Sequence, residues 1–156
     1  MCGIWAIFGF PDYFQHASHV MKISGRGPDC FRMETIPNFK NCCLAFHRLA
    51  INGDNSAMQP VNVKSLPHLH LIYNGEIYNH AALEKKYNFN VTSQCDGEVI
   101  LHLYDKFGVE KTAQLLDGIF AFCIVDTKSK QVHLGRDTFG VRPMFTLTKK
   151  VDANRS

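Results

Sequence analysis

Ile119-Phe120-Ala121-Phe122-Cys123-Ile124-Val125 is apolar at every position. A strand made of it has no face to give to water, so both sides need a cover, such as a helix layer on one and a second sheet on the other. The rest of the chain supplies both kinds of cover. The reading is an α+β architecture in which two sheets of antiparallel-type strands lie between helices.

Strand-like stretches are Ile4 to Phe8, Phe31 to Glu34, Cys42 to Phe46, Leu69 to Tyr73 and Val132 to Gly135. Pro37-Asn38 reads as a turn between two of them, and Asn74-Gly75 as the end of another. Phe14, Ala17, Val20 and Met21 recur at helical spacing until Gly25. Asn79 is placed to cap a helix through Tyr87, with Ala82, Leu83 and Tyr87 on one face. Asp96 is placed to cap a second, striped by Val99, Ile100, Leu103 and Phe107 before Gly108. A third runs from about Val109 to Leu116. Arg26-Gly27-Pro28-Asp29 and Asn52 to Ser56 are loops.

With 156 residues, 46% hydrophobic and 20% charged, this is one domain-sized unit. The net charge of +3 is small and its basic residues are scattered, which gives no nucleic-acid patch. No apolar run approaches the roughly 20 residues of a membrane span. No basic residue precedes the first apolar run, Pro11-Asp12 ends it, and the glycine is Gly3 rather than second, so neither a signal peptide nor myristoylation is expected. The cytosol is therefore expected, with the six cysteines reduced. Cys42, Cys43 and Cys123 read as strand interior, and His68, His70 and His80 as exposed histidines rather than metal ligands.

Four places carry candidate chemistry, each beside a plainer reading. Cys2, alone, reads more simply as a buried thiol; with Met1 removed, its own α-amine, of ordinary pKa about 7.7–8.0, can serve as base to the thiol. Asn74-Gly75 is a turn, or an amide and an N–H able to hold an oxyanion. Arg48 is a surface ion pair, or a fork that grips a carboxylate. Asp96 is a helix cap, or a holder for an ammonium group. Together they suit a small zwitterion carrying an acyl group, such as glutamine.

At this point a resemblance emerges. Met1-Cys-Gly-Ile-Trp5, Arg26-Gly-Pro-Asp29, Phe46-His-Arg-Leu-Ala-Ile51, Met58-Gln-Pro60, Tyr73-Asn-Gly-Glu-Ile-Tyr-Asn-His80, Asp96-Gly-Glu98 and Gly135-Arg-Asp-Thr-Phe-Gly-Val-Arg-Pro143 stand in one ordered series. The series resembles the N-terminal glutaminase domain of glutamine-dependent asparagine synthetases, which are class II, N-terminal nucleophile amidotransferases.

The resemblance implies a four-layer αββα sandwich, the N-terminal nucleophile hydrolase fold. It implies Cys2 as nucleophile on the glutamine amide, with Asn74 and Gly75 as oxyanion hole. Arg48 then holds the α-carboxylate, Asp96 and Glu76 lie near the α-amino group, and Leu49, Ala50, Ile51 and Asn52 line the pocket. The glutaminase step needs no cofactor or metal; ATP and Mg belong to a synthetase domain that the sequence lacks. Implied partners are glutamine and that synthetase domain, with a homodimer left open. Gly25 stands where relatives often carry His, and Asn52-Gly53 where an aliphatic-Asp pair is usual. The match runs to about residue 147, which reads as a glutaminase domain over 1–156 that is incomplete at its C-terminus. Two alternatives stay open: a catalytically idle truncated module with a regulatory or dimerising role, and another class II amidotransferase.

Overall fold

The structure is a computed structural model that describes residues 2–50, 58–93 and 95–149, without the side chain of Phe14. The expected loop at Asn52 to Ser56 lies outside the described residues. In chain order the elements are β1 (Gly3–Phe8), α1 (Ala17–Met21), β2 (Cys30–Thr35), β3 (Cys42–Arg48), β4 (Leu69–Ile77), α2 (His80–Tyr87), α3 (Glu98–Leu115), β5 (Gly118–Asp126) and β6 (Gln131–Arg136). They form two three-stranded antiparallel sheets, ordered β1-β3-β2 and β4-β5-β6.

β5 is covered on both faces, as its sequence requires. Phe120, Phe122 and Ile124 pack with Val99, Ile100 and Leu103 of α3 and with Leu71 and Tyr73 of β4. The alternate residues Cys123 and Val125 pack between the sheets with Cys42, Leu44 and Ile72, flanked by Ile4, Ala6 and Phe8. The outer face of the first sheet is covered by α1 and its flanking 3₁₀ turns, through buried Val20, whose carbonyl meets His47 Nε2 at 3.0 Å. The layers are therefore helix, sheet, sheet, helix.

Several local expectations give way to tertiary contacts. Met21 and Phe107 are exposed although they complete apolar helical patterns. The stretch around α1 is one short helix between 3₁₀ turns, because only Val20 has a sheet to bury against. The expected break between two helices, by contrast, is present: Gly108 (φ +78°, ψ 172°) is non-helical and kinks α3 at that point. Asn79 does not cap α2 with its side chain; it donates to the Leu115 carbonyl and accepts from the Asp117 N–H, joining α2 to the end of α3. His70 is buried rather than exposed, because it alternates with Ile72 onto the covered inner face of β4. No described helix is long and apolar enough to cross a membrane. Beyond β6, residues 137–149 run without helix or strand and leave Phe139, Phe145 and Leu147 exposed.

The largest correction concerns Asn74-Gly75, which is strand and not turn. β4 continues through it to Ile77 because β5 offers ladder partners as far as Gly118. Gly75 sits at φ +147°, and a Cβ there would lie 1.9 Å from the Ile119 carbonyl oxygen. Only glycine lets the strand pass this close to its neighbour.

Candidate active site

The β2–β3 and β5–β6 turns meet at one end of the sandwich, where Lys130 Nζ donates to the Asn38 carbonyl. The opposite end therefore gathers the start of β1, the end of β3 and the end of β4, a strand that packs on both of the others. Cys2, Arg48, Asn74 and Gly75 all belong to these three chain ends. Strand alternation carries Arg48 and Asn74 on the faces of Leu44 and Ile72, toward the inter-sheet interior. Both side chains are buried, Arg48 to 4% exposure and Asn74 to 7%. The plain reading of Arg48 as a surface ion pair is thereby excluded.

Around Cys2 the chain is tied tightly. Its half-buried sulfur accepts from the Leu49 N–H at 3.5 Å and donates to the Leu49 carbonyl at 3.8 Å. Arg26 Nε donates to the Cys2 carbonyl at 3.3 Å. The Asp29 N–H donates to the Arg48 carbonyl at 3.0 Å, and its carboxylate accepts from the Ala50 N–H at 2.6 Å. Between them, Gly27 lies flat on the end of β3; a Cβ on it would sit 2.2 Å from the His47 carbonyl oxygen. The turn-rich Arg26–Asp29 loop is thus a clamp over residues 2 and 48–50.

A second knot lies on β4. The half-buried Asp96 caps no helix. Its Oδ1 accepts from the Tyr73 hydroxyl and its Oδ2 from the Ile77 N–H, each at 2.6 Å. Tyr73 also meets Cys95 Sγ at 3.2 Å, and its N–H donates to buried Gln59 Oε1 at 2.6 Å. Burial pushes the Tyr73 phenol far up, with Cys95 and Asp96 adding to it, so it remains a donor. Fully buried Glu98 closes the same turn, accepting from the Thr92 and Ser93 N–H groups and facing His102 Nε2 at 3.3 Å.

Of the remaining expected residues, Leu49 is half-buried, while Ala50 and Glu76 are exposed. Ile51 and Asn52 lie outside the described residues. Gln59, Tyr73, Arg26, Asp29 and Glu98 received no individual role from the sequence. All five stand inside quoted motifs, so the signal was present without its geometry. At Gly25 a Cβ would meet nothing within 4 Å, so this departure leaves the described packing intact.

A thiol, a buried guanidinium, a buried amide and a braced carboxylate can together bind and cleave an amide substrate. The profile of the glutamine amidotransferase domain family matches residues 1–154. The chain belongs to this family. The amidotransferase domain is 54% identical over 146 residues to the rat asparagine synthetase (glutamine-hydrolysing), covering 93% of this chain. Against the human and chicken proteins of that name the identities are 53% and 51% over the same length. The chain spans 26% of the length of each of these relatives. Among solved structures, a glutamine phosphoribosylpyrophosphate amidotransferase from B. subtilis, complexed with ADP and GMP, aligns with a TM-score of 0.61. It is 18% identical and covers 81% of this chain and 35% of its own. That likeness establishes the fold, the αββα sandwich of the amidotransferases.

Proposed function

We propose that this amidotransferase domain hydrolyses glutamine to glutamate and ammonia through a thioester on Cys2. The observation that carries the reading is the Cys2 sulfur held on the backbone of Leu49, one residue beyond the buried Arg48. Nucleophile and guanidinium are thereby fixed relative to each other, as a substrate with a carboxylate at one end and an amide at the other demands.

In the proposed reaction the α-amine of Cys2, freed by removal of Met1, takes the thiol proton. The sulfur then bonds to the side-chain amide carbon of glutamine. The oxyanion so formed lies against the Asn74 amide and the Gly75 N–H. As the C–N bond breaks, the proton passes from the ammonium of Cys2 to the leaving nitrogen, which departs as ammonia. Water, deprotonated by the same amine, attacks the thioester, releasing glutamate and restoring the thiol. Arg48 holds the α-carboxylate with two parallel bonds, and Asp96 with Glu76 faces the α-ammonium. Leu49, Ala50, Ile51 and Asn52 line the pocket.

Within a longer protein resembling the asparagine synthetases, the ammonia would serve an ATP- and Mg-dependent amidation of aspartate elsewhere in the chain. A free thiol nucleophile suits a reducing compartment such as the cytosol. The test is direct. The purified chain, given glutamine, is expected to release glutamate and ammonia in equal amounts, and to make no asparagine when ATP and aspartate are added. A folded chain with Cys2 at its terminus that releases no glutamate would overturn the proposal.

A further inference from the structure

We propose that Tyr73 is a positioning residue for substrate selection: its hydroxyl holds the Asp96 carboxylate in the orientation that receives the α-ammonium of glutamine. This rests on the glutaminase reading above. Asp96 has four lone-pair directions, and Tyr73 and Ile77 use one on each oxygen at 2.6 Å. Two directions remain, fixed in space by two donors from the same strand that carries Asn74 and Gly75.

Tyr73 is itself held on all sides. Its ring packs in the helix-facing core, its N–H is taken by Gln59, and Gly97 leaves room for it. A Cβ at Gly97 would lie 2.2 Å from the ring. The ring alone would serve the apolar core equally well as phenylalanine. A hydroxyl set in that core against Asp96 is explained by what it does to the carboxylate. Alternation along β4 completes the arrangement, for Tyr73 reaches the helix side to Asp96 while Asn74 turns to the inter-sheet side.

The experiment compares the wild-type chain with Tyr73→Phe on two substrates: glutamine, and its analogue lacking the α-amino group (glutaramate, the monoamide of glutaric acid). Expected is a rise of about 5- to 30-fold in KM for glutamine with kcat within about two-fold. On the deamino analogue kcat/KM is expected to stay within about two-fold of wild type. An equal loss on both substrates would make Tyr73 a support for the oxyanion hole or the fold, and overturn the proposal. Unchanged glutamine kinetics, or a Tyr73→Phe chain that does not fold, would also overturn it. A wild-type chain that releases no glutamate would instead bring down the glutaminase reading itself, and this assignment with it.

Discussion

The backbone N–H of Leu49 points at the Cys2 sulfur from 3.5 Å, and the Leu49 carbonyl receives the thiol at 3.8 Å. One residue earlier in the chain stands Arg48, buried at the end of β3. The position of the Cys2 sulfur is thus set by the same short segment that sets the guanidinium. Asp29 clamps that segment from outside and Arg26 holds the Cys2 carbonyl, so the two groups cannot drift apart without breaking several hydrogen bonds.

If the α-amine of Cys2 is the base, the active protein begins at Cys2. Intact-mass measurement of the active preparation is expected to show loss of Met1. A preparation that retains Met1 and works at the full rate would rule out this base.

If buried Arg48 grips the glutamine α-carboxylate as proposed, its removal separates binding from chemistry. Breaking a desolvated charge pair from one side costs about 2–5 kcal/mol, or about thirty-fold to several thousand-fold in kcat/KM. Much of the loss in Arg48→Ala is expected in KM, and Arg48→Lys is expected to recover only part, since an ammonium cannot form the paired bonds. Cys2→Ala should abolish turnover yet still bind glutamine by calorimetry. Near-normal kinetics in a folded Arg48→Ala chain would remove Arg48 from the pocket.

Gly75→Ala combines a strained φ with a collision against the Ile119 carbonyl. Each effect costs about 1–3 kcal/mol, so a total of about 2–6 kcal/mol is expected. Thermal unfolding should fall by roughly 4 °C or more, with turnover reduced as the N–H of residue 75 is displaced. A chain with unchanged melting and rate would contradict the close approach of β4 to β5.

Glu98 gives a pH signature. Burial pushes its carboxyl up, but the bonds from Ser93, the Thr92 N–H and His102 outweigh this and hold it below its ordinary 4.5. The folded protein therefore releases this proton more readily than the unfolded chain. The stabilisation is complete above about pH 4.5 and fades as pH falls through the lower folded value. Urea unfolding is expected to show Glu98→Gln less stable than wild type by about 1–3 kcal/mol at pH 7, with the gap closing in acid. A gap that persists or widens below pH 4 would show that the charge on Glu98 is not what holds the turn.

The architecture was legible where side-chain pattern alone dictates burial. Ile119 to Val125 has no polar face, and it lies between a helix layer and a second sheet. The ordered motifs single out Cys2, Arg48, Asn74 and Asp96 as candidates, and the structure buries Arg48 and Asn74, ties Cys2 to Leu49 and braces Asp96. Local rules failed where a distant partner offered more than the near one. Asn74-Gly75 has the composition of a turn, yet β5 runs alongside and extends the strand through it. Asp96 has the place of a helix cap, but Tyr73 and the Ile77 N–H, 23 and 19 residues away, hold its carboxylate instead.

What the sequence by itself determined is the family, through its ordered motifs, and that the chain must fold as layers, because residue type and spacing fix polarity and periodicity. Which hydrogen bonds those residues make was decided by tertiary structure alone. A carboxylate or an N–H accepts any well-placed partner, and the packing of the two sheets selects which partner is within reach.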